Sequence, residues 1–182
     1  MTYFFITFSI GFWIILFFYW IIEATRTRGI KNEIVGLSKL LISGLVLYIP
    51  LLLPNQMLIY QPNFIIRAIG LLISISGYNL CYWSRKELAQ NWSGKVAIQE
   101  NHQLIKSGPY KIIRHPIYSG VLVLMLGTSI IIGSWLAFIW TFFCFFGLYR
   151  KGKQEEELLM KEFGEAYNQY RKETKMLIPF VL

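Results

Sequence analysis

Both histidines of the 182-residue chain fall in one polar stretch, His102 to Gly120, which reads HQLIKSGPYKIIRHPIYSG. Gly108-Pro109 punctuates it, and Arg114-His115 then precedes Pro116. Proline suits the first turn of a helix, where its missing N–H would have had no partner. The apolar run that follows predicts that helix, so Arg114, His115 and Tyr118 should stand at its mouth. Such a site can hold an anionic or carboxylate-bearing ligand, with the guanidinium available for a bidentate grip and the helix N-terminus offering free amides. The plainer alternative has Arg114 and Lys111 anchoring the helix and His115 capping it, and spacing alone leaves the two open. A second cluster, Arg150 with Glu155, Glu156 and Glu157, follows a later apolar run. Carboxylates beside a basic site can bind a cation, orient arginines or hold a ribose diol, but a charged solvated face reads the same way.

Other chemistries find little support. Two histidines thirteen positions apart with no cysteine nearby have no zinc-ligand spacing, so no metal is expected. The GxSxG elbow, the P-loop and the GxGxxG fingerprint are absent. The two cysteines, Cys81 and Cys144, both lie inside apolar runs and suggest neither a disulfide framework nor a CxxC motif. The formal charge of +8 would raise nucleic acid as a partner in a soluble chain. Here the cations flank apolar runs, which anionic lipid headgroups already explain, and no nucleic-acid partner is expected.

The elements that must position these residues follow from composition. The chain is 55% hydrophobic, 17% aromatic and only 15% charged, against roughly 25% charged in soluble domains. Its apolar residues come in long runs near 3–22, 37–53, 65–83, 117–132 and 135–149, each long or nearly long enough to cross ~30 Å of hydrocarbon. The first run lacks a basic preface and a small-residue cleavage site, so it reads as a span and not a signal peptide. Gly133 and Ser134 join the last two, which are short and should form an antiparallel hairpin. That turn makes their far ends neighbours and brings the glutamate cluster to the face that holds His115. The run of residues 150–172 alternates apolar and charged positions at helical spacing (Leu158, Leu159, Phe163, Tyr167, Tyr170) and predicts an amphipathic helix against the membrane. Of the 18 Lys and Arg residues, 17 fall on one side of this arrangement, with Arg67 alone on the other. The positive-inside rule then places the N-terminus outside and the C-terminus in the cytoplasm, which requires an odd number of crossings. The expectation is an all-α, multi-pass integral membrane protein of five transmembrane helices, a single domain over residues 1–182, with its chemistry-capable region at about 91–179.

The residues that carry a resemblance lie in that region. His102-x-Leu104, Gly108-Pro109-Tyr110 and Arg114-His115-Pro116-x-Tyr118-x-Gly120 come first. Glu155-Glu156-x-x-Leu159, Phe163-Gly164-x-x-Tyr167-x-x-Tyr170 and a closing Ile178-Pro179 follow. In order and spacing this resembles the isoprenylcysteine carboxyl methyltransferase family and the related phospholipid methyltransferases. The resemblance implies a membrane methyltransferase using S-adenosylmethionine, the cofactor entering from the cytosol and a lipophilic or lipid-modified acceptor arriving from the bilayer. It puts His102, Leu104, Gly108, Tyr110, Arg114, His115, Pro116, Tyr118 and Glu155 at the cofactor. His102 would help hold the methionine end, and His115 and Tyr118 would shape the pocket near the transferred methyl. Arg150 and Glu156 would meet the acceptor's polar end or order the lid. The chain resembles the family's short prokaryote-like members, which implies a prokaryotic inner membrane.

Methyl transfer from a sulfonium asks for an in-line approach and exclusion of water more than for a strong acid or base. A carboxylate acceptor is already ionised, whereas an amine would need a base such as Glu156. Two other readings stay open: an NADPH-dependent sterol-type membrane reductase, whose late helix carries a similar element, and a non-catalytic membrane protein with a structural ion-pair network. The aromatics Phe17, Phe18, Trp20, Phe142, Phe143, Phe145 and Phe146 either line a lipid tunnel or simply face lipid.

Overall fold

The structure is a computed structural model and describes residues 2–25, 41–52, 61–88 and 104–181. Those residues form helices α1 (Thr2–Thr25), α2 (Leu41–Leu52, its last turn a 3₁₀ turn at Ile49–Leu52), α3 (Phe64–Leu88), α4 (Pro116–Ile132), α5 (Trp135–Phe163) and α6 (Glu165–Glu173). A further 3₁₀ turn covers Gly108–Lys111. The fold is all-α. By length and apolarity α1 and α3 can each cross a bilayer, while α2 and α4 are shorter apolar helices. Large apolar side chains such as Phe8, Ile15, Phe18, Leu72, Phe142, Phe143 and Phe146 are exposed. A surface so apolar suits hydrocarbon and not water.

Helices α3 and α4 make the most extensive contact among the described elements, and their sequences explain it. Gly70, Ser74, Gly77, Cys81 and Ser84 recur at three- and four-residue steps on one face of α3, and all are buried. Opposite them stand Gly120, Leu124 and Gly127 of α4. A Cβ on Gly120 would lie 2.6 Å from Cys81 Sγ and 2.9 Å from the Gly77 carbonyl oxygen, so the backbones touch where side chains are missing. In hydrocarbon, where apolar side chains gain little by leaving lipid, this close approach is a main source of helix association. Polar ties reinforce the bundle. Trp13 of α1 donates its indole N–H to Thr128 Oγ1 of α4 (3.3 Å), Tyr48 of α2 donates to Ser9 of α1 (2.8 Å), and Trp140 of α5 donates to the Ser43 carbonyl of α2 (2.9 Å).

Arg67, the isolated cation of the sequence, is buried. It donates from Nε to the Pro62 carbonyl (3.0 Å) and from Nη1 to the Ile131 carbonyl (2.5 Å). A cation at the C-terminal end of α4 satisfies a carbonyl with no intrahelical partner and complements the helix dipole. Gly133 then turns the chain in the left-handed region (φ 73°) and α5 begins at Trp135. Residue pairs at both ends of this hairpin, Ser129 with Thr141 and Tyr118 with Glu155, show that it is antiparallel.

The structure corrects one expected boundary. The fifth apolar run does not end in a separate amphipathic helix over 150–172. Helix α5 continues unbroken for 29 residues to Phe163, and only Glu165–Glu173 forms its own helix. Residues 150–163 are mostly Lys, Gln, Glu, Leu and Met, good helix formers with no proline among them, so leaving the apolar run gives no reason to stop. The stop comes at Gly164, whose φ of 50° a side chain would disfavour. Residues 37–40 and 53 of the second expected span lie outside the described residues.

Candidate active site

Three strands of argument meet at the mouth of α4. Pro116 opens the helix as expected, with His115 at the N-cap position, although the His115 side chain makes no capping hydrogen bond. The two-residue turn at 133–134 brings α5 alongside, and the α5 residues level with His115 are the glutamates. His115 Nδ1 lies 3.4 Å from Glu155 Oε2, and Nε2 lies 3.5 Å from Glu156 Oε1. Tyr118 donates its hydroxyl to Glu155 Oε1 at 2.5 Å, and its ring lies parallel to the imidazole with centroids 5.4 Å apart. Lys151 sits over the Tyr118 ring, 4.0 Å from Glu155 Oε1. Arg114 donates from Nε to Glu156 Oε1 at 2.6 Å.

Burial sets the electrostatics. Glu156 is 3% exposed. Desolvation alone would raise its pKa, but hydrogen bonding and the charges of His115 and Arg114 outweigh it and bring the carboxyl down to about 2. Desolvation pushes the His115 pKa down, and contact with Glu155 and Glu156 outweighs that, so the imidazole is held toward its protonated form. The result is a buried, ionised cluster of alternating sign.

A strap formed by residues 174–177 closes one side of the cluster. Its backbone pairs with the segment before α4: Arg114 N–H donates to the Lys175 carbonyl (2.8 Å), His115 N–H to the Met176 carbonyl (3.1 Å) and Lys175 N–H to the Ile112 carbonyl (3.3 Å). Arg114 Nη1 donates to the Thr174 carbonyl and Ser119 Oγ to the Leu177 carbonyl, both at 2.5 Å. Met176 is buried against Gly152 of α5, where a Cβ would lie 2.5 Å from its methyl and 3.4 Å from the imidazole. Gly152 is therefore the gap in α5 through which strap and histidine reach the helix.

The structure brings together Arg114, His115, Pro116, Tyr118, Glu155 and Glu156 of the residues singled out in the sequence. Tyr110 is buried nearby, with its hydroxyl on the Ser84 carbonyl of α3 (3.5 Å) and its own carbonyl taking the Tyr170 hydroxyl (2.7 Å). Gly108 starts the 3₁₀ turn at φ 56° beside the Glu87 carboxylate, and Leu104 lies in the extended lead to that turn. His102 lies outside the described residues. Arg150 is not brought to the cluster: it is exposed, and six residues before Glu156 it lies roughly 240° around the helix from it. Lys151 takes the place beside Glu155. Sequence reasoning missed Arg171, whose Nε is 3.7 Å from Glu156 Oε2, together with Ser119, Gly152 and the strap. A lone glycine inside the charged run RKGKQEEE was the available signal for a close approach.

Known proteins resemble this chain in sequence and in fold. Residues 68–161 match the isoprenylcysteine carboxyl methyltransferase (ICMT) family. Protein-S-isoprenylcysteine O-methyltransferase of Schizosaccharomyces pombe is 32% identical over 103 residues, 52% of this chain and 42% of that protein. Protein-S-isoprenylcysteine O-methyltransferase B of Arabidopsis thaliana is 34% identical over 93 residues, 48% of this chain and 45% of that protein. The human protein of the same name is 33% identical over 121 residues, 62% of this chain and 40% of that protein. The chain thus spans less than half the length of these relatives. A solved structure of the eukaryotic intramembrane Ras methyltransferase ICMT, without a monobody, superposes with a TM-score of 0.66 at 23% identity, covering 83% of this chain and 56% of that one. That likeness shows a shared fold, and with the apolar helices it makes this an integral, multi-pass membrane protein. With more than half of its residues matched, the chain belongs to the isoprenylcysteine carboxyl methyltransferase family.

Proposed function

We propose that this chain is an S-adenosylmethionine-dependent methyltransferase acting on a lipophilic acceptor, with a prenylcysteine-type carboxylate as its leading substrate class. The observation that carries the reading is the His115–Glu155–Glu156–Arg114 cluster at the mouth of α4, built from residues inside the matched family region. The residues present fit such a cofactor. Glu156 Oε2, His115 Nε2 and the Tyr167 hydroxyl are buried without hydrogen-bond partners among the described residues, and carboxylates beside tyrosine faces suit a cation that also carries a ribose diol. When bound, S-adenosylmethionine supplies an electrophilic methyl group on a sulfonium.

The protein's own part is to bind, orient and exclude water. We assign His102, Leu104, Gly108, Tyr110, Arg114, Pro116 and Glu155 to the cofactor side, His115 and Tyr118 to the wall nearest the reacting carbon, and Glu156 to ordering Arg114 and the strap. Arg150, exposed on α5, is assigned to the acceptor's polar end. A carboxyl held at about 2 is a poor base at neutral pH, since a base works best with a pKa near the working pH. Glu156 is therefore ill-suited to deprotonating an amine, which favours an acceptor that arrives already ionised.

We place all of residues 1–182 in one domain with its catalytic-type region at about 91–179, and give it five crossings with the N-terminus outside and the C-terminus in the cytoplasm. The charge asymmetry of 17 cations to one supports that orientation. The setting we propose is a prokaryotic inner membrane, although the relatives described above are from eukaryotes. The test is calorimetric binding of S-adenosylhomocysteine to detergent-purified protein, beside His115→Ala, Glu156→Ala and the milder Tyr118→Phe, with NADPH in parallel. Micromolar binding that weakens in all three is expected, together with methylation of an amine-blocked S-farnesylcysteine. Absence of binding, or binding of NADPH in its place, would sink the reading.

A further inference from the structure

Beside Arg114 lies a cavity of about 390 Å³, and neither Tyr118 nor Glu155 is among the residues that line it. Five cations line it: Arg114, Lys153 of α5, Arg171 and Lys172 of α6, and Lys175 of the strap. Among the described residues, no carboxylate side chain lines it. Arg114 and Arg171 share the single charge of Glu156, which lies beneath them. Lys153, Lys172 and Lys175 form no ion pair among the described residues. The Arg114 side chain is 91% buried, and its Nε and Nη1 are committed to Glu156, Thr174 and Arg171. Its Nη2 has no partner among the described residues. Like charges gathered around a concave space repel one another, so an arrangement of this kind is stabilised when an anion enters it.

The neighbourhood narrows the anion's class. Tyr149, at the end of the apolar half of α5, forms one wall, and tyrosine is enriched where hydrocarbon meets headgroups. Val181 forms another, and it and Phe180 are 74% and 88% exposed. A cation-lined cavity flanked by exposed apolar residues at the membrane boundary matches a phosphate carried on acyl chains better than one free in water.

We propose that this cavity is a binding site for the phosphate of an anionic phospholipid headgroup. Because Arg114 also holds Glu156, a phosphate on its free side would fix the guanidinium from both faces and stiffen the strap over the catalytic cluster. That coupling rests on the function proposed above; the binding itself does not.

The test uses the full chain in mixed micelles, titrated with phosphatidylglycerol or phosphatidylcholine and read by native mass spectrometry and by melting temperature. Phosphatidylglycerol is expected to bind and to raise the melting temperature, and phosphatidylcholine is not. The triple variant Lys153→Gln/Lys172→Gln/Lys175→Gln should weaken phosphatidylglycerol binding about tenfold or more, since each cation near an anionic surface contributes appreciably. The matching triple Lys→Arg variant should retain it. Unchanged S-adenosylhomocysteine binding by the Gln variant would show that it is folded. Equal response to both lipids, the same stabilisation by millimolar inorganic phosphate, or displacement of the lipid by S-adenosylhomocysteine would each overturn the proposal. Lipid binding without binding of S-adenosylhomocysteine would leave this site standing and remove only the methyltransferase reading.

Discussion

Replacing Glu156 by Gln removes one charge from the buried cluster with almost no change of shape, and the structure sets the size of the loss. The carboxyl falls from 4.5 to about 2 on folding. At 1.36 kcal/mol per unit, that is roughly 3 kcal/mol of stability at neutral pH, in line with the ~3–5 kcal/mol lost when one partner of a buried pair is removed. A chain of this size shifts by about 2–4 °C per kcal/mol, so the variant should melt roughly 6–12 °C below the parent. Thermal unfolding in detergent can be followed at each pH by circular dichroism of the helices and by fluorescence of the six tryptophans. The pH dependence has a definite sign. Glu156 has a depressed folded-state pKa, so its contribution is complete above about 4.5 and is lost as pH falls through about 2. The gap between parent and variant should shrink to about half near pH 3. His115 works in the opposite sense: its contribution is complete below 6.5 and is lost as pH rises through its raised folded-state value. Parent and variant melting within ~2 °C of each other at pH 6, or a gap that keeps its full size at pH 3, would refute the account of the cluster.

Three further outcomes are expected. Tyr118→Phe removes a 2.5 Å hydrogen bond to an ionised carboxylate and should lower kcat/KM for methyl transfer on the order of 10–100-fold. Circular dichroism should show the fold intact. Gly120→Ala puts a methyl group 2.6 Å from Cys81 Sγ and 2.9 Å from the Gly77 carbonyl. It should destabilise the α3–α4 seam by about 1–3 kcal/mol in a melting experiment, whereas Gly147→Ala, with open space around it, should not. Glu155→Gln removes one of the two carboxylates that raise the His115 pKa, so the imidazole resonance followed by NMR should titrate at lower pH than in the parent.

Much of the site was legible because it depends on chain geometry that residue type encodes. Gly133-Ser134 is a two-residue break between apolar runs, and a break that short leaves the flanking helices no choice but to lie side by side. From that alone, Glu155 and Glu156 had to meet the His115 end of α4. Pro116 marked the first turn of that helix for an equally local reason. What escaped was information about phase and backbone. Ending the fifth helix at residue 149 discarded the rotational relation between Arg150 and the glutamates, which only a continuous α5 defines. The strap was hidden because main-chain groups of Lys175 and Met176 hold it, and any residue but proline could supply them. The Gly70, Ser74, Gly77 and Gly120 pattern was present as helical spacing of small residues, yet it says nothing of which helix it faces until α3 and α4 are set together.

The unbroken course of α5 has one more consequence. Glu155 stands twenty residues after Trp135 and six after Tyr149 on one continuous helix, about 30 Å and about 9 Å of axis at 1.5 Å per residue. The helix is thus a depth gauge: with Tyr149 where hydrocarbon meets headgroups, its far end holds the carboxylates above that boundary. If the function proposed above holds, altitude above the membrane becomes a selection rule: an acceptor would qualify when its reactive group rides at the height of Glu155, however long or branched the tail below it. Thinning the bilayer would raise that height relative to the lipid surface, so a methyltransferase of this build would sort its acceptors differently in membranes of different thickness.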